Sequence, residues 1–277
     1  LYAKEKYATL QDALNASNPG DVIYLLPGIH TGNVKISTNN LTIRSLNYGI
    51  NPNTNELTFA PAIYTGTITL AKELQNITFD GIDFEDNAQI LNELGTAATA
   101  AAPSTNVSGF NFINNIVNSK LTGKKGFIYF VEASSSYTHD INIVNNKFVG
   151  VSFGADAMIY VDNCYDVIMS NNTFDGCTKA IYINDTDKGL SGQYGEFVSN
   201  KFTNCQYGLY INWLSHLPAG TDTAEVYIMN NEFNNIAKEG IHLGRIVILI
   251  SALVLNTTNS LKLLMVLLLI ELLRVLI

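Results

Sequence analysis

Charged residues are scarce in this sequence, and basic residues are the scarcer kind. Charged residues make up 14% of the 277 positions, against roughly 25% in an average domain. The 16 Lys and Arg residues face 24 Asp and Glu residues, so the net charge is −8. This excludes nucleic acid as a partner, because neutralising phosphates requires clustered Lys and Arg. Asn, Thr, Ser and Tyr fill the gap, and such a polar but uncharged surface is typical of proteins that contact sugars.

Cysteine is also nearly absent, with three residues, Cys164, Cys177 and Cys205. Their spacing fits no metal site, and an odd number cannot form a complete disulfide framework. The chain begins at Leu1 without the basic and apolar stretches of an export signal. Composition therefore leaves the location of the protein open.

What the sequence does have is an internal repeat: an alternating apolar strand, a polar residue, Asn, a variable residue and a large apolar residue. The copies are residues 110–117 (FNFINNIV), 141–148 (INIVNNKF), 167–174 (VIMSNNTF), 195–202 (GEFVSNKF) and 226–233 (VYIMNNEF), with a degenerate copy at 77–84. Successive copies lie 26 to 33 residues apart. Repeats of this length indicate a solenoid, a propeller or an array.

A second alternating strand follows each copy, as in 158–161 (MIYV) and 180–183 (AIYI). Two strands per repeat without helical periodicity exclude leucine-rich and helical solenoids. A propeller blade would need four strands and antiparallel hairpin turns, whereas each repeat here has two strands. Repeats of unequal length favour an all-β, right-handed parallel β-helix, whose loops vary in length while its strands stay in register.

One Asn column recurs in this repeat, at Asn115, Asn146, Asn172, Asn200 and Asn231. We predict a structural role, because Asn adopts the left-handed backbone of a tight corner and stacked amides hydrogen-bond to one another. Cys177 and Cys205 each follow a closing Phe by three residues. They should stack as a buried thiol pair in adjacent coils rather than as a disulfide.

The N-terminal segment has apolar residues at helical spacing over residues 7–17, which predicts a short helix capping the first coil. The string YATLQDALNASNPGDVIYLLPGIHTGNVKI, followed by NLTIRS, resembles the opening of bacterial proteins of the pectate-lyase-like superfamily. The later NNxF coils resemble the same superfamily. The resemblance implies one β-helix domain over residues 1–245 and a secreted or cell-surface location. It does not imply one activity, because the superfamily includes lyases, hydrolases, epimerases and non-catalytic surface proteins.

The C-terminal segment, residues 246–277, breaks the repeat and is rich in Leu, Ile and Val. It makes no convincing membrane span, because Asn256 to Ser260 divide it and Lys262, Glu271 and Arg274 interrupt its second half. An amphipathic end-cap is one interpretation. The other, which we favour, is translation outside the natural reading frame.

Strand alternation predicts a candidate site on the second strand. Residues such as Ile159 and Val161 share the inward parity, so the residues between them should point outward in one column. That column consists of Tyr129, Tyr160, Tyr182, Tyr210 and His242, and just beyond it lie Glu132, Asp162, Asp185, Trp213 and Arg245. Aromatic faces pack on sugar rings and carboxylates bind hydroxyls, so these residues are candidate polysaccharide ligands. The alternative is a ladder of aromatic pairs that only stabilises the sheet.

Catalysis would require paired carboxyls, for which Asp162 and Asp185 are the candidates. No metal site is predicted and no cofactor is required. Ca²⁺ is possible through Asp83, Glu85 and Asp86, but strand parity splits these groups and favours a solvated turn. Two function classes therefore stay open: a polysaccharide-binding surface protein, which we favour, and a polysaccharide lyase or glycoside hydrolase.

Overall fold

The computed structural model describes residues 6–46, 48–50, 57–93, 104–121, 126–131, 136–150, 157–162, 164–184, 194–212, 224–243 and 250–258. Within these residues the chain winds into coils of three strands, and each strand pairs in parallel with its equivalents in the neighbouring coils. The result is a right-handed parallel β-helix with three long faces, as the sequence predicted. Right-handed crossovers are the rule for parallel strands.

We number the three faces in the order in which the chain enters them. Sheet 1 contains Val22–Leu25, Leu41–Ser45, Leu74–Asp80, Ser104–Ile113, Ser136–Val144, Cys164–Ser170, Tyr194–Val198, Ala224–Asn234 and Ile250–Thr258. Sheet 2 contains Gly28–His30, Ala62–Tyr64, Asp83–Asp86, Ile116–Ser119, Lys147–Val149, Thr173–Asp175, Lys201–Thr203 and the end of Ala224–Asn234. Sheet 3 contains Val34–Ile36, Thr67–Leu70, Gln89–Asn92, Ile128–Phe130, Ile159–Asp162, Lys179–Asn184, Tyr207–Asn212 and Glu239–Leu243. An antiparallel pair, Tyr48–Ile50 with Leu57–Phe59, is inserted in the second coil.

The sequence predicted two strands per coil, and the structure has three. The extra strands are those of sheet 2, such as Lys147–Val149, which contain the large apolar residue that closes each repeat copy. A corner at Asn145 and Asn146 separates this strand from sheet 1. Three residues are too few to display period-2 alternation, so the sequence pattern merged the two strands.

The core is a set of aligned side-chain columns along the solenoid axis. In one of them Phe148, Phe174, Phe202 and Phe233 stack nearly face to face, with centroid distances of 4.7, 5.1 and 4.9 Å. All four side chains are buried. Parallel in-register pairing forces this alignment, because each residue lies beside its equivalent in the next coil.

The Asn column forms the predicted ladder inside the corner between sheets 1 and 2. Asn172 shows the pattern: its Oδ1 accepts from the backbone N–H and the Nδ2 of Asn146, both at 3.0 Å. Its own Nδ2 donates to the Ile143 carbonyl at 2.8 Å and to Asn200 Oδ1 at 2.9 Å. All five ladder residues are buried, so each amide satisfies backbone groups that the corner leaves without strand partners.

The left-handed backbone conformation that we expected at each ladder Asn is not found there. It belongs to the residue before each ladder Asn, namely Asn114, Asn145, Asn171, Ser199 and Asn230, with φ of 56–58°. These side chains point outward, and the ladder Asn that follows turns inward. The first Asn of each Asn-Asn pair therefore makes the turn, and the second fills the interior.

The N-terminal helix spans Leu10–Asn15, shorter than the predicted 7–17, because the Thr9 side chain caps it by accepting from the Asp12 N–H at 3.1 Å. Leu10 and Leu14 are buried against the first coil. At the other end Ile250–Thr258 pairs in parallel with Ala224–Asn234 and extends sheet 1. Neither interpretation of residues 246–277 is tested by this pairing, and residues 259–277 lie outside the described part.

Cys177 and Cys205 lie beside one another as buried free thiols. A hydrogen bond with Cys205, together with burial, raises the pKa of Cys177, so its thiol stays protonated. The helix found among the described residues is too short to cross a membrane.

Candidate functional site

The predicted aromatic column lies on the outer face of sheet 3, and we call Tyr129, Tyr160, Tyr182, Tyr210 and His242 the tyrosine strip. They occupy equivalent positions in five successive coils. Adjacent ring centroids lie 4.9, 5.2, 4.8 and 3.9 Å apart along the strip. All five side chains are half-buried, while the residues flanking each tyrosine on its strand, such as Ile159 and Val161, are fully buried. The predicted alternation of inward aliphatics and outward aromatics is therefore present.

A polar row runs beside the tyrosine strip, two residues further along each strand. It consists of Asp162, Asn184 and Asn212, which stand in register. Asn184 Nδ2 donates to Asp162 Oδ1 at 2.8 Å, and Asn212 Nδ2 donates to Asn184 Oδ1 at 3.3 Å. The Tyr182 hydroxyl donates to Asn184 Oδ1 at 3.5 Å, which links the row to the strip.

On its other side, the strip is bordered by charged and aromatic residues of the last three coils. Lys179 Nζ lies 4.5 Å from the Tyr182 centroid and 5.1 Å from that of Tyr210. Tyr207 and Glu239 follow Lys179 in register. The carboxylate of Glu239 contacts His242 Nδ1 at 2.6 Å, and the imidazole in turn stacks on Tyr210.

Burial raises the pKa of Tyr210, and the neighbouring Glu239 and Tyr207 raise it further. Its hydroxyl therefore remains protonated at neutral and mildly alkaline pH. A protonated phenol both donates and accepts a hydrogen bond, as a sugar hydroxyl does.

Four predicted site residues, Glu132, Asp185, Trp213 and Arg245, lie outside the described residues, so their roles stay predictions. The same holds for the Asp162–Asp185 catalytic pair. In the described part of sheet 3, the register neighbour of Asp162 is the amide of Asn184.

Sequence reasoning missed Asn184, Asn212, Lys179 and Glu239. A signal existed for Asn184 and Asn212, because strand parity places residues two positions after each tyrosine on the same side of the strand. Strict alternation gives no such signal for Lys179 and Glu239. The Lys179, Tyr207 and Glu239 column begins three positions before the strip, where alternation is interrupted by two consecutive buried residues in each strand, such as Ala180 and Ile181.

Within the described ranges no group of three or more His, Cys, Asp or Glu side chains is arranged to hold a metal ion. Asp83 and Glu85 share the outer side of sheet 2, close enough for Glu85 to raise the pKa of Asp83 further beyond the effect of burial. Asp86 is exposed, with a left-handed backbone at φ 52°.

No family model and no curated protein matches the chain. Among solved structures it is similar to a PL6 alginate lyase in complex with a trisaccharide, with 15% identity over 84% of this chain and 53% of that chain, at a TM-score of 0.42. It is also similar to the PL6 family alginate lyase AlyGC, with 14% identity over 90% of this chain and 37% of that chain, at a TM-score of 0.48. The chain thus spans about half or less of the length of these proteins. The parallel register of its three sheets confirms the fold that the sequence resemblance implied, a right-handed parallel β-helix.

Proposed function

We propose that the protein is a secreted or cell-surface β-helix protein that binds a polysaccharide along the tyrosine strip. The observation that carries this proposal is the continuous column of half-buried rings on the outer face of sheet 3. Four tyrosines and a histidine contact one another there, coil after coil.

The spacing of the rings supports a polymeric ligand. Strands in neighbouring coils are about 4.8 Å apart, which is close to the length of one sugar ring in an extended chain. A polysaccharide lying parallel to the solenoid axis would therefore meet an equivalent ring at each coil. Aromatic faces would pack against the apolar C–H faces of the sugars.

The borders of the strip supply the polar contacts that such a ligand needs. Asp162 and Asn212 are partly exposed and offer a carboxylate and an amide along one side of the strip, and the buried Asn184 links them. These side chains are held by hydrogen bonds to one another, so little conformational entropy would be lost when they bind hydroxyl groups.

The test is a glycan array followed by isothermal titration calorimetry with oligosaccharides of increasing length from the best polysaccharide. We expect affinity to rise with length until the ligand spans from Tyr129 to His242. Tyr160→Ala with Tyr182→Ala should weaken binding at least tenfold, since loss of a central aromatic anchor costs more than about 1 kcal/mol.

Tyr165→Ala is the matched control, because Tyr165 makes an equivalent ring stack with His139, at 4.7 Å, on the outer face of sheet 1. It should leave polysaccharide affinity unchanged. Equal losses in the control and in the strip variant, or affinity independent of chain length, would contradict the proposal.

A second candidate function, polysaccharide cleavage, is favoured by the groups at the end of the strip. Glu239 contacts His242, which stacks on Tyr210 beside Lys179. This places groups able to accept and donate protons next to the proposed sugar path. Incubating each bound polysaccharide with the protein and measuring unsaturated uronate and new reducing ends tests this candidate. Product formation that His242→Gln or Asp162→Asn abolishes would establish it, and binding without product would exclude it for that substrate.

A further inference from the structure

A second cluster of polar and aromatic side chains lies away from sheet 3, on the outer side of sheet 1 in the first coils. Tyr24, Arg44 and Asp80 occupy equivalent positions in three successive coils. They stand at the edge of sheet 1 where the chain turns toward sheet 2. This column opens onto a cavity of about 350 Å³, lined also by Ser45, Leu46 and Asn114. That volume lies within the range of roughly 300–1,000 Å³ seen for small-molecule sites.

The charged pair that lines the cavity, Arg44 and Asp80, is fixed in place. Arg44 Nε donates to Asp80 Oδ2 at 2.7 Å, and Asn114 Nδ2 donates to the other carboxylate oxygen at 2.9 Å. The Asp80 side chain is only 9% exposed, whereas that of Arg44 is 49% exposed. The carboxylate raises the pKa of Arg44, so the guanidinium remains charged and the pair is neutral as a whole.

Tyr24 also lines the cavity. It is 53% exposed, in contrast to the half-buried tyrosines of the strip. A large exposed ring beside a hydrogen-bonded Arg–Asp–Asn cluster combines an apolar face with donors and acceptors fixed by their neighbours. That combination fits a ligand with an apolar face and a rim of hydroxyl groups.

We propose that this cavity, the Tyr24 pocket, binds a neutral sugar ring. One face of the pyranose packs on Tyr24, while adjacent hydroxyls donate to Asp80 and accept from Arg44. The compensated charge of the Arg44–Asp80 pair, in a protein of net charge −8, disfavours a sugar acid. The pocket and the strip lie on different sheets, so this proposal stands independently of the proposed polysaccharide path.

The test is saturation-transfer-difference NMR with methyl glucoside, methyl galactoside, methyl mannoside and sodium glucuronate. The protein used is the full chain carrying Tyr160→Ala and Tyr182→Ala, which removes the two central rings of the strip. We expect transfer to at least one neutral glycoside and none to glucuronate. Adding Tyr24→Ala should abolish the signal, and Tyr24→Phe should retain it. Tyr7→Ala, at another exposed tyrosine, is the matched control and should leave it unchanged.

A change in the preference between neutral glycosides and glucuronate provides a second readout. Asp80→Asn leaves Arg44 without its counter-charge, so glucuronate should gain signal relative to the neutral glycosides. If that variant does not fold by circular dichroism, Arg44→Gln, at the exposed member of the pair, should preserve the exclusion of glucuronate. The proposal is overturned if no neutral glycoside receives saturation, if the signal survives Tyr24→Ala, or if the protein with Arg44 and Asp80 intact prefers glucuronate. The strip proposal is untouched by these outcomes, because the strip is interrupted in the protein tested and each outcome depends on Tyr24, Arg44 or Asp80, which lie on another sheet.

Discussion

The phenylalanine column and the tyrosine strip are two columns of contacting aromatic rings built by the same parallel register, one inside the solenoid and one outside. Centroid spacings are 4.7–5.1 Å in the inner column and 3.9–5.2 Å in the strip. The inner rings Phe148, Phe174 and Phe202 are fully buried, whereas the strip residues are half-buried. Contact between the rings of successive coils is therefore a consequence of the register, and exposure decides which column is accessible from outside.

The largest expected effect is on stability, and it distinguishes the phenylalanine column from the tyrosine strip. Phe174→Ala should lower the free energy of unfolding by about 3–5 kcal/mol, because it removes a fully buried ring and leaves a cavity. Tyr182→Ala should cost only about 1 kcal/mol, the size of an exposed cross-strand aromatic pair. Urea denaturation followed by circular dichroism measures both. Similar losses in the two variants would mean that the strip is a second structural core rather than an accessible surface.

A smaller effect is expected for the asparagine ladder, which extends the comparison to polar groups. Asn172→Ala should lower the free energy of unfolding by about 2–4 kcal/mol, because buried donors and acceptors of Asn146, Ile143 and Asn200 lose their partner. The same denaturation experiment applies. Asn15→Ala, at an exposed position of the helix, is the control and should change stability by less than about 0.5 kcal/mol. A loss no greater than that of the control would show that the ladder amides do not support the fold.

The smallest effect concerns Asp83, a carboxylate on the outer side of sheet 2. Burial, and then the charge of Glu85, raise the pKa of Asp83. Its folded pKa lies above its unfolded pKa, so its charged form opposes folding at neutral pH, and this penalty disappears as pH falls below the unfolded pKa. Asp83→Asn should therefore stabilise the protein slightly in neutral buffer and not in acidic buffer. Thermal unfolding at both pH values measures the difference. An equal shift in Tm at both pH values would contradict a raised pKa for Asp83.

The sequence predicted the fold because inward and outward residues alternate along sheets 1 and 3, and the Asn-Asn-x-Phe unit marks each coil. It did not reveal the strands of sheet 2, which are mostly three residues long. It also placed the left-handed residue one position late, since either Asn of the pair could occupy that conformation from composition alone. Only the structure distinguishes Asn171, whose left-handed backbone turns the chain, from Asn172, whose buried side chain fills the corner.

The sequence predicted the part of the candidate site whose strands alternate regularly between inward and outward residues. Tyr160 and Tyr182 fall in one column because their strands alternate clearly, so counting residues was enough. The pairing of Arg44 with Asp80 was not foreseen, because the first coils lack the repeat unit that aligned the later ones. The Glu239–His242 contact joins two residues three positions apart on one strand. Strict alternation would put them on opposite faces, and the interrupted alternation of this strand brings them together.

The corner between sheets 1 and 2 gives the solenoid a modular construction. Asn146 and Asn172 occupy identical places in consecutive turns, so the 26-residue segment 147–172 begins and ends at equivalent backbone positions. Duplicating or deleting this segment would leave the Asn ladder continuous and would add or remove one ring of the tyrosine strip. The length of the tyrosine strip is thus set by the number of coils. Duplication or deletion of the gene segment for one coil changes that length by about 4.8 Å.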